Sequence, residues 1–207
     1  DQKTGLRIHG GATRALPMKS LSMHARKWLG QGSFELSCLS GSPTTYEKLI
    51  LRNSGQDSVM MPTLLRQTLA AVVVGAVDAT MARSRPCLLY CNGEYWGLHQ
   101  LTEDYGDKYF AKWGVAADQV DYLDDGHVEA GDAAHYRDMV DFARSHSLSD
   151  RTNYEQFTRL IDPEAFAEYL IAEVYTANAD WPHGNLSCWR VRQPTPALPQ
   201  QGVTDGQ

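Results

Sequence analysis

The chain has no long hydrophobic run. Its longest, at 69–77, is about half of the roughly 20 apolar residues that a membrane-spanning helix needs, so this piece carries no transmembrane segment. It also lacks a basic excess. Nineteen Lys and Arg face 25 Asp and Glu, a net charge of -6, whereas neutralising nucleic-acid phosphates requires a basic face. No nucleic-acid partner is expected. Cysteine is scarce: Cys38, Cys87, Cys91 and Cys188 form no CxxC pair, which argues against a zinc site. Cys87 and Cys91 fall on one face of one strand, about 13 Å apart and too far to bridge. A disulfide between two of the others stays open, and with it the redox compartment. The seven histidines make no HExxH or comparable pair. There is no internal repeat and no signal-peptide pattern at the polar opening Asp1 to Thr4, although both ends read as cut points.

What remains is the composition of a folded domain: 43% hydrophobic, 21% charged, and long enough for one ordinary domain or two small lobes sharing a cleft. The first half reads as strands around one helix. Strands are expected at 5–9, at 48–52, and at 19–26, where Leu21, Met23 and Ala25 alternate with polar residues. From 61 to 83 the pattern turns helical, with Leu64, Leu65, Leu69, Val72, Val73 and Val77 making a broad face that predicts a well-buried helix. Strands at 87–91 and 95–101 flank Asn92-Gly93, the pair that favours a type I′ hairpin turn. After Glu103 the composition favours helices. They are expected at 105–113, ending at Gly114; at 132–145; and from Asp162, an N-cap followed by Pro163 at N1. In that last helix Phe166, Tyr169, Leu170, Val174 and Tyr175 would share one face. The proline- and glutamine-rich stretch 193–201 reads as a loop. The expected class is α+β: a strand-rich first lobe over 1–102 and a helical second lobe over 103–207.

Two groups of residues could carry chemistry. Asp180-Trp181-Pro182-His183-Gly184-Asn185 places an Asn five residues after an Asp on a loop that follows a helix, the spacing of a kinase catalytic loop. There the Asp accepts a hydrogen bond from an incoming hydroxyl, and the Asn oxygen reaches a magnesium ion on the phosphates. The same residue types also simply end a helix and make a turn. The second group is the early strand–loop–strand unit. Gly10, Gly11, Thr13 and Arg14 could cover a phosphate, and Lys19 could reach the α- and β-phosphates. Taken alone, a Gly-Gly loop is more often a hairpin turn, and a lone lysine a solvated one. His183 stands inside the first group. Asp121, Asp124, Asp125 and Glu129, around Gly126, lack EF-hand spacing and read as a solvated loop.

In order, these pieces resemble one family. Gly5-Leu6-Arg7-Ile8-His9-Gly10-Gly11-Ala12-Thr13-Arg14 with Pro17-Met18-Lys19-Ser20 is similar to the opening of CotH kinases. Leu49-Ile50-Leu51-Arg52-Asn53, Leu88-Leu89-Tyr90-Cys91-Asn92-Gly93-Glu94-Tyr95-Trp96-Gly97-Leu98 and Leu101-Thr102-Glu103 resemble that family's next segments. Asn178-Ala179-Asp180-Trp181-Pro182 through Trp189-Arg190 resembles its catalytic region. The resemblance covers about residues 5 to 190. It implies a protein-kinase-like two-lobed fold, here incomplete, that uses ATP and Mg2+ to phosphorylate Ser or Thr of protein substrates, as relatives do on spore-coat proteins. Lys19, Arg14, Gly10 and Gly11 would then hold the nucleotide, Asp180 would orient or deprotonate the acceptor hydroxyl, and Asn185 would bind magnesium. Glu103, at the join of the lobes, would be structural or near the adenine. A secreted, envelope or spore-coat setting in bacteria would follow.

Three departures from the family pattern matter. Gly184 stands where the family commonly has a second Asn. The 61–83 helix has no glutamate to pair with Lys19; its only acid is Asp78. A second metal-binding Asp would follow a later tryptophan-rich strand, and 203–207 reads as the turn into that strand, so Asp205 is not assigned to the role. The piece alone is therefore expected to be inactive. The rival expectation is a non-catalytic, pseudokinase-type protein used for envelope or coat assembly.

Overall fold

The structure, a computed structural model, describes residues 1–39, 44–55, 66–74, 82–106, 109–110, 114–179, 181–182, 184–193 and 201–205. Among them eleven strands form three antiparallel sheets and are accompanied by four α-helices, an α+β chain. It divides into two compact units, 1–73 with 82–104 and 74–81 with 105–207.

The first unit is built on a five-stranded sheet. Its strands are β1 (Gly5–His9), β2 (Ser20–His24), β5 (Lys48–Arg52), β6 (Ser84–Cys91) and β7 (Glu94–Glu103), in the order β1-β2-β5-β7-β6. A separate hairpin pairs β3 (Phe34–Leu36) with β4 (Thr44–Tyr46). The alternation read from the sequence sets the pairing: Leu21 lies opposite Leu51, and Met23 opposite Leu49. Leu49 packs with Ala25, Phe34 and Tyr46, and Met23, Leu36, Leu39 and Leu101 surround them. Each such large side chain, once buried, contributes about 1.5–3 kcal/mol. Asn92 and Gly93 have φ of 52° and 84°, and Cys91 pairs with Glu94, so the two-residue turn forms as expected. Its strands run longer than the pattern indicated, because a bulge at Leu89/Tyr90 lets the ladder continue. Glu103, at the end of β7, is buried. Its carboxyl oxygens accept the Tyr46 hydroxyl at 3.2 Å and the Arg83 backbone N–H at 3.1 Å.

The helix expected at 61–83 is described as α1 (Arg66–Val74); 56–65 and 75–81 lie outside the described residues. Ala82 and Arg83 are not helical, since the chain is already entering β6. Nor is the expected apolar face buried throughout: Leu69 is 61% and Val72 68% exposed.

The described residues of the second unit include a sheet that the sequence pattern had not indicated. Beside α2 (Ala134–Ser145), α3 (Arg151–Phe157) and α4 (Pro163–Tyr175), it holds a sheet of β8 (Val120–Asp124), β9 (His127–Ala130), β10 (Leu186–Val191) and β11 (Gln201–Asp205), ordered β11-β10-β8-β9. The acidic stretch is thus a hairpin and not a solvated loop. Asp125 and Gly126, with φ of 47° and 77°, make its turn. Asp121 is 3% exposed, Asp124 accepts the Ser187 hydroxyl at 2.6 Å, and Asp125 accepts the Leu186 N–H at 3.0 Å. Val203, Thr204 and Asp205 belong to a strand rather than a turn, with Asp205 opposite Leu186. Of the helix expected at 105–113, the described part is not α-helical: Gly106 has φ of 157°, and Tyr109 and Phe110 lie in a short 3-10 turn. In α4 the Asp162 carboxyl caps the Glu164 and Ala165 N–H groups, both at 3.1 Å. The buried residues of α4 are Tyr169, Ala172 and Glu173, whereas Val174 and Tyr175 are 70% and 75% exposed. The inward face is rotated from the one the apolar pattern suggested. All four cysteines are free. No described helix is long and apolar enough to cross a membrane.

Two titratable groups bear on stability. Asp121 receives Arg192 through Nε at 2.9 Å and Nη2 at 2.6 Å, and Arg190 through Nη2 at 3.0 Å. Burial raises its carboxyl pKa, but the hydrogen bonds from Arg192 and the Asp132 N–H, with both guanidinium charges, outweigh this and hold it below the usual range. Asp121→Asn leaves the partly buried Arg190 and the exposed Arg192 facing a neutral amide. It is expected to lower unfolding free energy by about 1–2 kcal/mol, the exposed partner being screened by water, read from urea denaturation; a loss within error of zero would refute the clamp. His9, closing β1, is pushed down to about 4 by burial and by the charges of Arg52, Lys48 and His24. The unfolded chain takes up a proton near the ordinary value of 6.5, and the folded chain only near 4. Stability is therefore complete above about pH 6.5 and erodes as pH falls toward 4, by an amount of order 2 kcal/mol. His9→Gln should flatten that part of the pH–stability curve; an unchanged slope would remove His9 as its source.

Candidate functional site

Of the predicted residues, Gly10, Gly11, Arg14 and Lys19 lie together on one loop. The chain leaves β1 at Gly10, whose φ of 104° is left-handed; a Cβ there would run into the Thr13 hydroxyl. Gly11 heads a 3-10 turn over Ala12–Ala15, in which the Arg14 N–H donates to the Gly11 carbonyl at 3.2 Å. Lys19 closes the loop from its far end, its Nζ donating to the Arg14 carbonyl at 2.8 Å. Gly10, Gly11 and Arg14 are exposed, and a Cβ on Gly11 would meet nothing within 4 Å. Residues 10–19 include an ammonium, a guanidinium, a hydroxyl and backbone N–H groups but no acid. That donor set fits a phosphate anion.

The described residues of the 180–185 segment belong to the other unit. Asp180 and His183 fall outside the described residues, and the segments on either side are held by neighbours. Asn178 is bound twice to Glu173, through its side-chain Nδ2 to Oε2 at 2.7 Å and through its backbone N–H to the carbonyl at 3.1 Å. The Trp181 ring meets Tyr169 edge-on, with centroids 6.3 Å apart. The Trp181–Pro182 peptide is cis. Asn185 is exposed and left-handed, with φ of 57°, and the next residue begins β10. Beside it Asp125, Gly126, Pro182, Gly184 and Leu186 line an open recess of about 180 Å³. That is below the roughly 300 Å³ at which ligand pockets begin, so this recess by itself does not enclose a nucleotide. Among the described residues no three His, Cys, Asp or Glu side chains converge as a metal site would require. Asn185 has a side-chain oxygen of the hard type that magnesium takes.

Reasoning on the sequence missed Asn53, His99 and Glu173, all at least nine-tenths buried. Asn53 stood out only within the family-like run at 49–53, His99 only as one of seven histidines, and Glu173 not at all. For Asn53 and His99 the partners are about 33 and 80 residues away, beyond what local patterns reach. For Glu173 the signal was nearer: its partner Asn178 is five residues on.

The family model described as CotH kinase protein matches residues 6–197. No curated protein matches the chain.

Proposed function

The chain belongs to the CotH kinase family, and from that premise we propose that it is the kinase-like domain of an ATP-dependent phosphotransferase acting on Ser or Thr hydroxyls of proteins. The observation that carries this reading is the acid-free loop in which Gly10, Gly11, Arg14 and Lys19 meet. ATP with a divalent metal would supply the phosphoryl group and offset its charge. Lys19 and Arg14 would hold the phosphate oxygens as cations, and the glycines would let backbone N–H groups approach them. Asp180 would accept the hydrogen bond of the acceptor hydroxyl and take its proton, and Asn185 would offer an oxygen to the metal. Catalysis of this kind is mostly positioning and charge stabilisation, which suits residues tied down by their surroundings. The two units would then correspond to the lobes of a kinase-like fold.

One observation favours the second reading, a non-catalytic protein that keeps the fold for assembly. Lys19 rests on a backbone carbonyl and not on a carboxylate, and the 61–83 segment has no glutamate to offer it.

The test uses the full-length protein with radiolabelled ATP, magnesium and a serine-rich acceptor. Phosphate incorporation is expected, with a fall of at least about a hundredfold in Asp180→Ala and in Lys19→Ala. Wild-type incorporation that survives in Asp180→Ala would remove that residue as the base. No incorporation, together with no rise in melting temperature on adding ATP and magnesium, would leave the assembly reading.

A further inference from the structure

We infer that Asn53 and His99 are positioning residues for Lys19; the inference rests on the phosphate-holding role proposed for that lysine. Lys19 sits just outside the sheet. The first pair that β2 makes with β5 is Leu21 with Leu51, so the carbonyls of Met18 and Lys19 lie beyond that ladder. Backbone groups in such a place need other partners. Side chains from outside β2 supply them. Asn53, directly after β5 and 1% exposed, donates its Nδ2 to the Met18 carbonyl. Its Oδ1 accepts the Ser20 hydroxyl at 2.8 Å and the Gly55 N–H at 2.9 Å, and its own N–H donates to the Ser20 Oγ at 3.0 Å. His99, on β7 and also 1% exposed, has Nε2 at 3.0 Å from the Lys19 carbonyl. A carbonyl only accepts, so the bond to Lys19 has Nε2 as its donor; the other ring nitrogen, Nδ1, makes the longer contact, 3.4 Å from the Gly97 carbonyl.

The residue before Lys19, Lys19 itself and the residue after it are thus each held by one of two buried side chains. The glycine two residues before His99 completes the seat: a Cβ on Gly97 would come within 3.0 Å of the Met18 sulfur. Apolar residues would fill these positions at lower desolvation cost, because a buried amide or imidazole is costly unless bonded. Here, apart from the Asn53 bond to Gly55 and the longer His99 contact with the Gly97 carbonyl, the bonds converge on one three-residue segment, the one that bears the candidate phosphate lysine. Fixing its backbone leaves only side-chain torsions between the sheet and the ammonium, and loss of about 1 Å in such placement can cost up to a hundredfold in rate.

The test compares His99→Phe, which keeps the bulk but loses the donor, with His99→Gln, which retains a donor at the Nε2 end. Both are made in the full-length protein, with Asn53→Asp as an independent variant that sets a carboxyl oxygen against the Met18 carbonyl. Acetylation of Lys19 by acetic anhydride, without nucleotide, is read by mass spectrometry relative to Lys27 and Lys48. Lys19 labelling should rise about fivefold in His99→Phe and Asn53→Asp as the lysine leaves the Arg14 carbonyl, and stay near wild type in His99→Gln. Where the wild type turns over ATP, kcat/KM for ATP should fall at least about tenfold in the first two and recover in His99→Gln. Labelling requires no turnover, so a protein without kinase activity defeats the proposed function and still tests the seat. Unchanged labelling in His99→Phe and Asn53→Asp, or labelling in His99→Gln as high as in His99→Phe, overturns the inference. So does loss of a cooperative melt in both His99→Phe and Asn53→Asp, which would make these residues supports of the fold.

Discussion

The first unit depends on β5 being buried. Leu49, Ile50 and Leu51 are 0%, 1% and 7% exposed, so consecutive residues, which point to opposite faces, are all covered. A strand in that position cannot turn its backbone polar groups to water, and they must go to β2 on one side and β7 on the other. The two neighbours are the strands next to Lys19 and bearing His99. Asn53 follows β5 itself. The apolar run at 49–51 therefore does more than fill a core: it sets the positions from which the lysine segment is held. The β1–β2 pairing, with His9 opposite Ser20, then brings the Gly10–Arg14 loop back to Lys19.

The second unit uses charge in the corresponding place. Asp121 on β8 lies opposite Arg190 on β10, and Arg192 closes over it from just past the strand end. Arg192 also reaches Asp132, which stands before α2. Gly131 permits this approach, since a Cβ there would overlap the Asp121 carboxyl. On the other face Trp189 packs on Phe110 at 4.7 Å between ring centroids, with Val120, Tyr122 and Val191 around it. The strand that leads away from Asn185 is thus fixed by an ionic cluster on one side and an aromatic cluster on the other. Its start is fixed by Asp125. The described residues that flank Asp180 are held by the Glu173–Asn178 pair on one side and lead into β10 on the other.

How much of this was legible followed from the range of each interaction. The Asn92-Gly93 hairpin, the Asp162–Pro163 helix start and the Leu21/Met23/Ala25 alternation are local, and each appeared where the pattern placed it. The Asp125-Gly126 turn is just as local and was available by the same rule. It was passed over because four acids in a short stretch look solvated when the partners of Asp121, Asp124 and Asp125, some 60 to 70 residues on, are not in view. The rotated face of α4 has a similar origin. Its apolar residues run nearly all round, so composition could not choose the inward side, and the choice fell to Tyr169, Ala172 and Glu173. For the candidate site, the loop residues were legible as a set, and the side chains that hold them were not.

In a kinase of the usual kind, the phosphate lysine is set by an acid on a helix, and movement of that helix switches the site. The segment at 61–83 has no glutamate for that task, and the lysine here lies against a carbonyl of its own loop. On the proposed function, the setting of Lys19 passes from the helix to the sheet: to Asn53 behind β5 and His99 on β7, two groups buried in the most covered part of the unit. Such a site is less open to control by helix displacement, because shifting the lysine backbone would mean breaking buried hydrogen bonds at about 1–3 kcal/mol for each group left unpaired. The lack of a glutamate in that segment and the polar seat are then two sides of one arrangement. An always-formed lysine site suits an enzyme limited by its supply of nucleotide and acceptor rather than by a switch.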